Sequence, residues 1–199
     1  MRMRMMAVGL LLGAGLLATG GQMPMGAQSA PAAGTVVPPA KAIDSELSII
    51  EGEMMSAVKA MPAEKFGFAP SAAIFVPGQK TEFATVRTFA QQATHVAAAN
   101  YSMYADLSGL KPDADVAGLS KLTNKDDVVA ALAGSFAFAR KAIATITPAN
   151  AFEVVKLGEG GTQTRATAAQ FAISHDNDHY GQMVEYLRMN GIVPPASTR

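Results

Sequence analysis

Apolar residues Ile43, Leu47, Ile50, Met54, Val58 and Met61 recur at steps of three and four, the spacing that puts side chains on one face of an α-helix. Pro62 stops that pattern, since a proline inside a helix removes a hydrogen bond and clashes with the preceding turn. A second periodic run extends from about Glu82 to Leu107, with Phe83, Val86, Ala93 and Tyr101 in phase. A third is capped by Thr123 or Asn124, has Asp126 and Asp127 at its positive end, and carries the stripe Val129, Leu132, Phe136, Ala139, Ile143 and Ile146. A fourth runs from about Thr167 to Asn190, where Gly191 supplies the cap and Pro194 and Pro195 prevent continuation. Four such segments predict an all-α protein built as a four-helix bundle.

The connections carry different signals. Residues 62–81 contain three prolines and three aromatics without a helical period, and they predict a loop packed by its own side chains that could roof a pocket. The stretch "GLKPDADVAGLSKLTNKDD" reads as loop. Within "NAFEVVKLGEGGTQTR" only "FEVV" has a weak strand signal, ahead of a Gly-rich turn.

The N-terminus breaks from this pattern. Arg2 and Arg4 precede an apolar run from Met5 to about Ala18, and small residues follow in "MGAQSAPAAG". A run of roughly a dozen residues falls short of the ~20 needed to span a bilayer and matches a cleavable signal peptide. Residues 1–29 are therefore expected to be a signal peptide, 30–40 a Pro/Ala-rich linker and 41–199 the domain, exported to the periplasm or secreted. Met3 separates the two arginines, so export of an unfolded chain is expected, with any metal acquired afterwards.

Composition narrows the chemistry. The 16 basic and 16 acidic residues balance, and no basic cluster could follow a phosphate backbone, which argues against nucleic acid as a partner. Loss of Arg2 and Arg4 leaves two more acidic than basic residues and no membrane span. The 199-residue chain has no cysteine, so disulfides, thiolate ligands and thiol nucleophiles are excluded. A homodimer is compatible with a chain that is 49% hydrophobic, but no residue specifies one.

The chain's 3 histidines hold what metal-ligating capacity remains beyond carboxylates. His175 and His179, in "ISHDNDHYGQMVEYLRMNGIVPP", are four residues apart on the fourth helix, offset by about 40°, and can aim two nitrogens at one point. On a helical wheel Phe171, Ala172, Ile173, Tyr180, Met183, Tyr186 and Leu187 share their arc, so both histidines are expected on the buried side. Asp176 points about 100° away from His175, and its place after the first histidine removes the glutamate that marks zinc metalloproteases. Asp178 is positioned either to hold an imidazole N–H or to stand in solvent, and Tyr180 and Tyr186 are read as core aromatics. His95, on the second helix, shares its face with Thr88, Gln91, Gln92, Ala98, Ala99 and Ser102, small and polar residues that leave room for a pocket. If helices two and four are neighbours, His95, His175 and His179 form the nitrogen set of an open catalytic metal site.

The segments "VRTFAQQATHVAAANYSMYADLSG" and "FAISHDNDHYGQMVEYLRMNGIVPP", together with "AVKAMPAEKFGFAPS", resemble the DinB-like (DinB/YfiT) superfamily across about Ile43 to Pro195. The resemblance implies a four-helix bundle with adjacent second and fourth helices. It also implies a divalent metal, zinc or nickel with iron or manganese as alternatives, held by His95, His175 and His179. Members include thiol transferases, isomerases and hydrolases, so the fold alone leaves the reaction open. An exported chain would lack the reduced cytosolic thiols that such transferases use. Three expectations stand: a metal-dependent hydrolase or transferase acting on a small-molecule substrate, a metal- or ligand-binding module without turnover, and a bundle whose site holds nothing.

Overall fold

The structure, a computed structural model, describes residues 31–81, 86–158 and 161–198. The expected signal peptide lies outside them. Residues Val36–Arg199 form one compact unit.

Four helices make this unit: α1 (Pro39–Ala60), α2 (Phe89–Ser108), α3 (Lys125–Ile143) and α4 (Arg165–Met189). The start of α1 at Pro39 uses the one helical position where proline's fixed φ and missing N–H cost nothing. Its end comes at Met61, which is extended because the ring of Pro62 disfavours the helical conformation in the residue before it.

Helix α2 begins later than periodicity suggests. Thr88 accepts from the Gln91 backbone N–H at 3.2 Å, the Gln91 side chain accepts from the Thr88 N–H at 2.9 Å, and this reciprocal cap fixes the start at Phe89. Val86 therefore precedes the helix, and the expected earlier turn containing Phe83 lies outside the described residues. Gly109, with φ 76°, closes the other end by returning its N–H to the Ala105 carbonyl. Asn124 caps α3 by accepting from the backbone N–H groups of Asp126 and Asp127. Thr164 caps α4, which stops at Asn190 before the left-handed Gly191.

In the bundle α2 packs against α3 and α4, and α1 packs against α4 and α3. Leu47, Met54, Val58, Phe89, Tyr104, Leu132, Phe136, Met183 and Leu187 fill the space between them. Removing a side chain of this size from water stabilises the fold by about 1.5–3 kcal/mol. Arg140 on α3 binds Asp44, Glu51 and Ser48, which ties α3 to α1 along the rim. No described helix is long and apolar enough to cross a membrane.

The connections depart from expectation in two places. Residues 153–164 contain a hairpin, β1 (Val154–Leu157) paired antiparallel with β2 (Gly161–Thr164), so "FEVV" is partly strand and has a partner that composition did not reveal. Arg165 donates to Glu153 and to the Leu107 carbonyl, fastening the hairpin and the start of α4 to the end of α2. In the 62–81 loop Phe66 is buried edge-on against Phe89, and Phe68 stacks edge-on against Tyr186. The carbonyls of Phe68 and Phe66 accept from the Phe89 and Ala90 N–H groups, so this half of the loop completes the first turn of α2.

Candidate metal centre

Adjacency of α2 and α4 brings His95, His175 and His179 together, with ring centroids 4.5–5.2 Å apart. The His175 Nε2 lies 3.3 Å from the His95 Nε2 and 3.2 Å from the His179 Nε2. One donor nitrogen from each ring falls within a 4.8 Å cluster. Three nitrogens bound at ~2.0–2.1 Å with tetrahedral angles would stand ~3.3–3.4 Å apart, and the two close spacings match that separation.

The ring of His179 is held by a chain of side-chain amides whose direction has one solution. The exposed Asp178 carboxylate can only accept, so the Gln182 Nε2 donates to it at 3.0 Å. That turns the Gln182 Oε1 toward Gln92, whose Nε2 donates at 2.7 Å and whose own Oε1 faces the His179 Nδ1 at 2.8 Å. The Nδ1 must therefore carry the proton, and the Nε2 lone pair is left pointing at the cluster, the tautomer a metal ligand needs.

His175 is supported differently. Its Nδ1 is buried without a hydrogen bond and stands 3.9 Å from an oxygen of Asp176. Asp176 is 0% exposed, and neither carboxylate oxygen has a hydrogen-bond partner. Burial pushes its carboxyl above the usual range. The Tyr104 hydroxyl, raised by burial and by the charge of Asp176, and the Asn100 Oδ1 also lie buried without partners.

Asp176 lies about 100° round the helix from His175, as expected, and that direction leads into the core. On the wheel Asp176 falls within the same arc as Ala172 and Met183, so it is in the core. The Nδ1 lies on the far side of the imidazole from the Nε2, so the group facing it must point away from the metal position. Phe171 departs from its expected place: it is 48% exposed, while Ala172, Ile173 and Met183 carry the buried face. Tyr186 is a core aromatic whose hydroxyl donates to the Arg87 carbonyl at 2.9 Å.

His179 is buried, and His95 and His175 are half-buried. Burial, the Arg87 guanidinium and the other histidines lower His95 to about 4. Burial, His175 and Arg87 lower His179 to about 4, against a smaller opposing pull from Asp178. Both rings are therefore neutral at pH 7, the form in which imidazole donates a lone pair.

A cavity of about 480 Å³ opens beside His95, with Arg87, Gln91, Thr94 and Ser120 as its other polar walls. Gln91 and the small residues near His95 on α2 do leave space, as their spacing suggests. Among the described residues the 62–81 loop contributes nothing to this cavity; its far wall is instead the 3₁₀ helix Val116–Lys121. Sequence reasoning passed over that wall because six residues with one buried side chain carry no helical period.

A capped helical bundle with three converging imidazoles defines a class of helical proteins with a metal-capable centre. The DinB superfamily model matches residues 46–183, and the chain belongs to that superfamily. A crystal structure of a DinB-like protein from Bacillus cereus ATCC 10987 has the same fold, with a TM-score of 0.63, 14% identity, and coverage of 78% of this chain and 95% of that one. No curated protein matches the chain.

Proposed function

We propose that the mature chain is an exported metalloenzyme of hydrolase or transferase type, with His95, His175 and His179 binding one divalent ion, zinc or nickel, through their Nε2 atoms. The convergence of three imidazole nitrogens, two pairs of them at 3.2 and 3.3 Å, beside a cavity that His95 lines carries this reading. Imidazole satisfaction alone leaves unexplained why two other rings crowd the His175 Nε2.

When bound, such an ion supplies Lewis acidity, acidifying a water or a substrate heteroatom and polarising a carbonyl. The chain's residues do the rest. Gln92 holds the His179 proton on Nδ1 and keeps its lone pair aimed inward. Asp176 faces the His175 Nδ1 and favours the proton there, which makes the opposite nitrogen a better donor. Three protein ligands leave further positions open, and the cavity lies on the side of His95, where a small molecule can reach them.

The test is a comparison of metal-reconstituted mature protein with its His175→Ala variant on ester, amide and thiol-addition substrates. Turnover by the first alone supports an enzyme. Full metal occupancy without turnover on any of them favours a binding module. The N-terminal residues support export, and N-terminal sequencing of the processed chain should place the new terminus close to Ala30.

A further inference from the structure

The cavity beside His95 has a charge pattern that metal binding alone does not explain, and the inference drawn from it rests on the proposed metal site. Three neutral imidazoles leave the charge of a divalent ion uncompensated. Arg87 adds another positive charge to the same cavity. A guanidinium and a metal ion facing one cavity repel each other.

The carboxylates near the site are poorly placed to offset this. Asp176 is buried on the opposite side of the His175 ring, and Asp178 is exposed and engaged by Gln182. The described residues lining the cavity include no acidic side chain. The backbone of Arg87 is held at the cavity rim: its carbonyl accepts from the Tyr186 hydroxyl of α4, and the next residue is the Thr88 cap of α2, while the side chain is exposed.

We infer that Arg87 anchors the carboxylate of a small organic acid whose second polar group reaches the coordination position open beside His95. A bound anion relieves the repulsion between the guanidinium and the metal, and the planar guanidinium suits a carboxylate. Gln91, Thr94 and Ser120 can hydrogen-bond further oxygens, while Val86, Ala98 and Val116 supply an apolar wall for the carbon chain. The volume lies in the lower half of the ~300–1,000 Å³ range of small-molecule sites.

Cobalt-loaded mature protein gives a visible absorption band that reports ligands at the open position. Titration with succinate, acetate and succinamide should show succinate binding at least about tenfold tighter than either of the others, the margin expected of one charge-assisted contact. Arg87→Gln should erase that margin with cobalt stoichiometry unchanged, and Arg87→Lys should restore part of it. Unchanged succinate affinity in cobalt-loaded Arg87→Gln, or succinamide binding as well as succinate, would overturn the carboxylate anchor and leave the metal site standing. Failure of the wild-type protein to bind cobalt would overturn the metal site and the anchor with it.

Discussion

His175 and His179 stand one turn apart on α4, yet the two rings are supported in opposite ways. Behind His179 a neutral amide chain runs from Gln92 through Gln182 to the exposed Asp178, with every hydrogen bond made. Behind His175 lies a buried carboxylate at 3.9 Å, with the Nδ1 and both carboxylate oxygens left unpartnered. The first arrangement is satisfied without a metal. The second stores free energy that improves when His175 becomes a better donor, because a carboxylate facing an imidazole N–H gains as positive charge develops on the ring.

The largest way to break the contrast is to remove a ligand. His175→Ala and His179→Ala should each reduce bound metal to less than about 0.2 equivalents, since two imidazoles make a weak site. Equilibrium dialysis with elemental analysis measures this. Next, Asp176→Asn should separate stability from binding. Zinc affinity should fall about 10–100-fold, whereas the apo protein should gain about 1 kcal/mol in urea unfolding, because a buried carboxylate without partners is costly. Unchanged zinc affinity would mean that Asp176 plays no part in holding His175.

On the other side, Gln92→Leu should cost about tenfold in zinc affinity by freeing the His179 tautomer. Gln182→Ala should cost less, about the fivefold that corresponds to one hydrogen bond of ~1 kcal/mol. Asp178→Asn, at the exposed end, should stay within about 0.5 kcal/mol in stability.

A pH series sharpens the same comparison. His95 and His179 are lowered from 6.5 to about 4 in the folded chain. Above about 6.5 both folded and unfolded states hold these rings neutral, and they contribute nothing to the pH dependence. As pH falls below 6.5 the unfolded chain takes up protons that the folded chain refuses, so apo stability declines until about pH 4. Urea midpoints at pH 7 and pH 5 should differ in that direction, and the difference should shrink in His95→Gln.

Much of this was readable from residue order. The stripes Leu47–Ile50–Met54–Val58 and Leu132–Phe136–Ala139–Ile143 are buried as their periods require. The DinB-like motifs named the three histidines that the fold brings together. The rest resisted for identifiable reasons. The start of α2 followed the Thr88–Gln91 cap rather than the apolar period, which ran on to residues outside the helix. Asp176 was set aside because its direction was compared with the metal position, whereas a supporting group must face the opposite nitrogen. The Gln92–Gln182 link joins residues 90 positions apart and has no local signature. Arg87 and Ser120 meet at one cavity only through tertiary packing.

The central claim, three imidazoles and an open position on one ion, is tested most directly by X-ray absorption at the metal edge on zinc-reconstituted, tag-free protein. The account predicts about one equivalent of zinc, with three imidazole nitrogens at ~2.0–2.1 Å and one exchangeable light-atom ligand. Less than about 0.2 equivalents, or a fourth ligand supplied by the protein that closes the site, would contradict it.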